Sequence, residues 1–206
     1  MGLTEGLNNI GLAYSSSQLA SLQTILDEHL KWNRVFNLSA HRDEESVLIY
    51  QILDSLTPHK FIRSGELLDV GTGPGFPGLP LALLFPNTHV TVLDSNDKKL
   101  AFARHIKSLC NLNNLTIVHK RVEELTTTQQ FDQIISRAFT HLNGMIECSL
   151  AFLKPDGEIL AMKGAQAESE IVDAQSTHDN CMFQLHKLPH VVDEQRMLAV
   201  VKQRSE

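Results

Sequence analysis

The chain has little that would cross-link, anchor or metallate it. Of 206 residues only three are cysteine, Cys110, Cys148 and Cys181, far apart and odd in number. That spacing fits neither a disulfide framework nor a zinc site, and thiols in a reducing cytoplasm are the expectation. No apolar run approaches the roughly 18 residues that a membrane-spanning helix needs, so no membrane partner is expected. The opening MGLTEGLNNI lacks a basic stretch followed by an apolar core, and no secretion signal is read there. Tryptophan occurs once, and Trp32, alone on a helix, is read as packing rather than as a stacking surface. His186 and His190 flank Pro189 on a broken strand, so no metal site is assigned. Positive charge is in the minority: the formal net charge is -6, which taken globally argues against a nucleic-acid partner.

What is present is a chain long enough for one full domain and a small appendage. Ser15, Ser16 and Ser17 offer capping oxygens, and Leu19, Leu22, Leu26 and Leu30 mark one stripe, so 15–34 reads as a helix. A second helix is expected over 44–56, before Pro58. Together they make an N-terminal helical extension, residues 1–63. From there to 206 the rhythm alternates within one compact unit. Strands are expected at 66–70, 89–94, 115–119, 131–136 and 157–163, with helices at 79–85, 98–110, 141–153 and 165–177. Such alternation means an α/β fold with a doubly wound, mostly parallel sheet covered on both faces. Two last strands, near 182–188 and 197–202, have only a loop between them and should pair as an antiparallel hairpin, giving seven strands.

The stretch LLDVGTGPGFPG, residues 67–78, poses the functional question. A triphosphate-binding P-loop needs Gly-Lys-Ser/Thr after the glycines, and Gly78 is followed by Leu79 and Pro80. Gly73 to Gly78 does satisfy the dinucleotide spacing. A pyrophosphate, however, is held by backbone N–H groups at a helix start, and Pro74, Pro77 and Pro80 have none to give. S-adenosylmethionine (AdoMet) carries no phosphate. Its sulfonium and amino group want an acid nearby, which Asp69 would supply directly or through water. Gly71 and Gly73 allow a close backbone approach. Asp94 ends the next strand, so its carboxylate faces the same crevice and suits a ribose diol. A dinucleotide fold also has an acid there, so Asp94 alone does not discriminate.

LLDVGTGPGFPG, VLDSNDKK, RVEEL, ISRAF and MKG follow one another over about a hundred residues. In this order they closely resemble the RsmG family, also called GidB, whose members methylate N7 of a guanine in bacterial 16S ribosomal RNA. KWNRVFNLSAHRD resembles that family's helical extension. The resemblance implies an AdoMet-dependent methyltransferase fold, AdoMet as cofactor, and the small ribosomal subunit and its 16S rRNA as partner. It implies that Gly71, Thr72, Gly73 and Phe76 contact the methionine end and that Asp94 holds the ribose. Val122 and Glu123 then flank the adenine, and Arg137 stands at the pocket mouth as a positioning group. The chain departs from the family at Gln51, where a His is common.

Charge distribution adds to this. Between Asn96 and Arg121 the basic residues include Lys98, Lys99, Arg104, Lys107, Lys120 and Arg121, and Asp97 is the only acid. A basic segment inside an acidic chain is the footprint of phosphate binding. Lys98, Lys99, Arg121, Lys163 and Arg196 are expected at RNA, while Arg104 and Lys107 suit a solvated helix face equally well. Guanine N7 has a lone pair and no proton to lose, so alignment is expected to replace general-base catalysis. Arg137 is expected to form a structural ion pair with Asp132 if it does not touch substrate. A monomer in the cytoplasm is the default. The competing readings are a non-catalytic subunit-assembly factor and a small-molecule methyltransferase.

Overall fold

The computed structural model describes residues 1–126, 128–137, 139–191 and 195–204. Among them seven strands form one sheet. These are β1 Gly65–Val70, β2 Thr88–Asp94, β3 Leu115–His119, β4 Phe131–Arg137, β5 Leu153–Lys163, β6 Cys181–Lys187 and β7 Met197–Gln203. Their order is β3-β2-β1-β4-β5-β7-β6. The first five run parallel, and β7 lies antiparallel between β5 and β6. The expected doubly wound sheet and terminal hairpin are both there. Strand order reverses between β1 and β4, so a crevice opens above their carboxyl ends, where ligands bind in this architecture.

Alternation along the strands divides the core. Leu67, Ile135, Leu160 and Leu198 point to one face, and Leu68, Ile134, Ile159 and Ala199 to the other. The first face carries α5 Gly78–Leu84 and α6 Asp97–Leu109 beneath a helical layer from the N-terminus. The second carries α7 Leu142–Ser149 and α8 Ala167–Thr177. In the N-terminal layer, α1 covers Leu3–Asn9 and α2 covers Ser16–Phe36. Ser15 starts α2 as a capping box: its Oγ accepts from Gln18 N at 3.2 Å, and Gln18 Oε1 accepts from Ser15 N at 2.9 Å. Leu22, Ile25 and Leu26 of α2 share one buried cluster with Leu79 and Phe102 of the sheet unit. Each such side chain contributes about 1.5–3 kcal/mol by leaving water.

The helix expected over 44–56 is one helical run with a change of pitch. Glu44–Val47 (α3) and Asp54–Leu56 (α4) are α-helical, and Leu48–Leu53 between them is π-helical. Asp54 N–H donates five residues back, to the Ile49 carbonyl. π-Turns inside helices concentrate at functional sites, and this one faces the crevice. Three boundaries differ from expectation. Helix α1 was unanticipated, because two glycines in GLTEGLNN obscure it. Strand β5 begins at Leu153, where Pro155 and Gly157 hide the extended chain. Helix α7 ends at Ser149, and Leu150–Phe152 is a 3₁₀ turn.

Candidate active site

Two cavities open at the carboxyl ends of β1, β2, β4 and β5. The smaller, of about 290 Å³, is walled by Gly71, Asp94, Arg121, Val122 and Glu123. Register explains the grouping: β1 ends at Val70 beside Leu93, and Asp94 is paired with His119 of β3. The chain turns sharply after β1 with φ of +69° at Gly71 and +61° at Gly73, angles that glycine adopts without strain. Asp94 organises this turn. Its Oδ2 accepts from Gly73 N at 2.7 Å and its Oδ1 from Asn96 N at 2.7 Å. Each oxygen keeps a lone pair for a further donor.

Asp69, Thr72 and Phe76 lie beneath the loop and do not line this cavity. Asp69 is fully buried, and its Oδ2 accepts from Thr72 Oγ1 at 2.5 Å and Gly78 N at 2.7 Å. It thereby fastens both ends of the turn. Its Oδ1 is buried without a hydrogen-bond partner. Burial pushes the Asp69 carboxyl up to about 7, against the pull of those two bonds. Phe76 is packed edge-on to His29 and lies beside Phe102. His29 itself is held near 4 by burial.

The larger cavity, of about 540 Å³, is walled by the π-helical segment and by the ends of β4 and β5. Arg137, the last residue of β4, stands at its centre. Nη2 donates to Gln51 Oε1 at 2.7 Å, and Nη1 donates to the Tyr50 carbonyl and to Asp54 Oδ2 at 3.3 Å. The partner expected for an ion pair, Asp132, instead holds Lys154 at 2.8 Å. Asp54 is buried and carries a second arginine, with Arg196 Nε at 3.2 Å from Oδ1. Lys163, at the end of β5, is nearly buried. It donates to Glu170 Oε2 at 2.8 Å and to the Thr140 carbonyl at 2.6 Å. Above these groups the His41 ring stacks on Tyr50 at 4.5 Å. Burial, then the charge of Arg137, lowers the His41 pKa, which favours the neutral imidazole.

The matching family model is that of GidB, described as rRNA small subunit methyltransferase G, and it covers residues 18–199. The chain belongs to this family. A relative from Chromohalobacter salexigens is 43% identical over 171 residues, covering 83% of this chain and 82% of its own. One from Marinomonas sp. is 34% identical over 200 residues, covering 97% and 96%. Both are named ribosomal RNA small subunit methyltransferase G. Among solved structures, an O-methyltransferase from Bacillus cereus superposes with a TM-score of 0.60 at 18% identity, over 87% of this chain and 91% of that one. That likeness shows the fold.

The basic residues of this GidB-family chain divide into two sets. Lys98 and Arg121 are exposed and Lys99 half-buried, with no ion pair among the described residues, and of the three Arg121 lines the smaller cavity. Asp97, the one acid of the segment, is already taken by Arg104 at 2.6 Å and His119 at 3.6 Å. Lys163 and Arg196 are instead tied to carboxylates inside the larger cavity. Sequence reasoning did not single out Asp54, Tyr50, Phe139 or Glu170, and it reached His41 only as part of the HRD stretch of the helical extension, as a cover for the cleft or an RNA contact. One available signal was Gln51, where the resemblance led one to expect a His, and whose neighbours Tyr50 and Asp54 line the wall. Among the described residues there is no group of three or more metal-ligating side chains. Nor, among the described residues, is any helix long and apolar enough to cross a membrane.

Proposed function

We propose that the chain transfers the methyl group of AdoMet to N7 of a guanine in small-subunit ribosomal RNA. The observation that carries this reading is the pairing of two unlike cavities at the switch point of the sheet, in a chain of this family. One offers a carboxylate and bare backbone, and the other offers anchored arginines.

The residues of the smaller cavity fit AdoMet. A Cβ on Gly73 would meet nothing nearer than Lys99 Cδ at 4.0 Å, so the loop is open there, whereas the Gly71 face is covered by the Phe139 ring. Asp94 has two acceptor oxygens fixed by backbone N–H groups, which suits a ribose diol. Val122 and Glu123, on the opposite wall, would flank the adenine. Asp69, buried beneath the loop, holds it in shape through Thr72 and Gly78. When bound, AdoMet supplies a methyl carbon already activated by a sulfonium.

Guanine N7 is a nucleophile without a proton to lose, so the protein's contribution is alignment and exclusion of water. Arg137, immobilised by three acceptors, would donate to the guanine edge and fix the ring. Holding two reactants this way contributes about 7–11 kcal/mol to lowering a barrier. The unpaired cations Lys98, Lys99 and Arg121 would contact RNA phosphates at the rim, and Lys163 and Arg196 would face the base. Mass spectrometry of 16S rRNA from cells with and without the protein tests this directly. One 7-methylguanosine present only in the first is the expected result; identical modification patterns overturn the reading.

A further inference from the structure

We propose that Phe139 is the surface on which the target base is stacked, a catalytic residue that faces the ring receiving the methyl group. This rests on the guanine N7 reading above. Phe139 alone among the described residues lines both cavities. Its ring lies on Gly71: a Cβ there would collide with Phe139 Cδ2 and come within 3.0 Å of Cγ. Gly71 follows β1 and Arg137 ends β4, so the ring stands over the point where strand order reverses. Of the other rings of this region, Phe76 and Phe102 are buried in the core and Tyr50 is stacked on His41, whereas Phe139 is 38% exposed. Packing therefore does not account for its place, and a ligand face does.

The chemistry gives that ring a task. The N7 lone pair forms the new N–C bond, the C–S bond breaks, and its electron pair stays on sulfur. Sulfur becomes neutral and the purine becomes a cation. Positive charge thus grows on the base during transfer, inside a cavity already holding Arg137, Arg196 and Lys163. Those cations are each bound to a carboxylate, Asp54 or Glu170. An aromatic face attracts a cation through its quadrupole, and more strongly when desolvated. Stacking on Phe139 therefore favours the transition state over the neutral base, which raises turnover as well as binding.

The test compares Phe139→Leu with Phe139→Trp, using undermethylated small subunits as substrate. Leu is expected to lower kcat at saturating AdoMet about 10- to 100-fold, the range of one base–aromatic stack, and calorimetry measures AdoMet affinity separately because Phe139 also lines the cofactor cavity. Trp is expected to retain most of the rate. Ultraviolet crosslinking of the RNA complex should place an adduct on the tryptic peptide holding Phe139, and Leu should remove it. An unchanged kcat in the Leu variant, or a Trp variant as slow as Leu, overturns the proposal. So does a loss that saturating AdoMet abolishes. Phe139→Ile carries the same test if Leu does not fold. Should the wild type itself produce no 7-methylguanosine, the target reading falls first, and this inference falls with it.

Discussion

The two cavities are built by different means. The smaller is made of backbone: two left-handed glycines, the end of β2, and one carboxylate held by two N–H groups. Nearly all of it comes from consecutive stretches of β1, β2 and β3. The larger is made of side chains from distant parts of the chain, with Gln51 and Asp54 from the N-terminal layer, Arg137 from β4, Lys163 from β5 and Arg196 before β7. A backbone site is defined by what it leaves out, and so suits one small invariant ligand. The side-chain site is an ion-pair network, whose geometry depends on every partner. The cofactor end should therefore tolerate changes around it, while the substrate end should respond to any break in its network.

The largest response is expected at Arg137. Arg137→Ala should lower methyl transfer about 10²–10³-fold, the usual cost of deleting one positioned donor. Calorimetry should find AdoMet affinity within about threefold. Lys should not rescue, because one ammonium cannot satisfy Gln51, the Tyr50 carbonyl and Asp54 together. A parallel loss of AdoMet affinity would assign Arg137 to both cavities and erase the contrast.

Nearly as large is a stability effect beneath the cofactor loop. Asp69 holds its proton up to about 7 in the folded chain, against an ordinary value of 3.8. Between those values the native state binds a proton that the unfolded chain has released, so this group's contribution falls as pH rises. His29, held near 4 against 6.5, acts in the opposite sense: its contribution rises with pH over 4 to 6.5. In the wild type the two slopes largely cancel. Asp69→Asn keeps an oxygen for Thr72 and Gly78 and removes one slope. Stability of the variant relative to the wild type should then climb by about 3–4 kcal/mol from pH 4 to 7 and level off. A difference that stays constant across that range, measured by thermal melts, would mean Asp69 is ionised throughout.

Next comes Asp94. Asp94→Ala removes the acceptors assigned to the ribose, and AdoMet should bind about 10- to 100-fold more weakly. RNA affinity without cofactor should not change. Unaltered AdoMet binding in calorimetry would take Asp94 out of that role.

The same contrast explains what the sequence disclosed. Strand, glycines, helix and second acid are contiguous and obey local rules, so the doubly wound sheet and the Asp94 wall were legible. Asp69 was legible as an acid at a strand end but not as to direction, since only packing reveals that its carboxylate turns inward. Phe76 misled for the same reason: it stands in the glycine stretch, yet His29 and Phe102 draw it into the core. Asp54 and Tyr50 were illegible because a π-helical turn inside an ordinary amphipathic pattern leaves no trace in periodicity. Asp132 was the nearer acid to Arg137 in sequence, but side chains that far apart on a strand diverge, and Lys154 captures it.

Gln51 offers the smallest and sharpest probe. It is one of three acceptors on Arg137, it is neutral, and it is buried. Gln51→Leu leaves the Tyr50 carbonyl and Asp54 in place, so Arg137 keeps its charge partner and loses one neutral bond, worth about 0.5–1.5 kcal/mol. Methyl transfer should fall about 3- to 10-fold. Gln51→His introduces the imidazole that the sequence resemblance led one to expect at this position. A neutral imidazole there still accepts one bond from Nη2, so activity should stay within about threefold of the wild type. Both variants should bind AdoMet as the wild type does, because among the described residues the hydrogen bonds of Gln51 go to Arg137 and Ser55 and not to the Asp94 wall. If Leu weakened the cofactor as much as it slowed transfer, strain would be passing between the cavities through Arg137, and the two ends of the site would have to be treated as one.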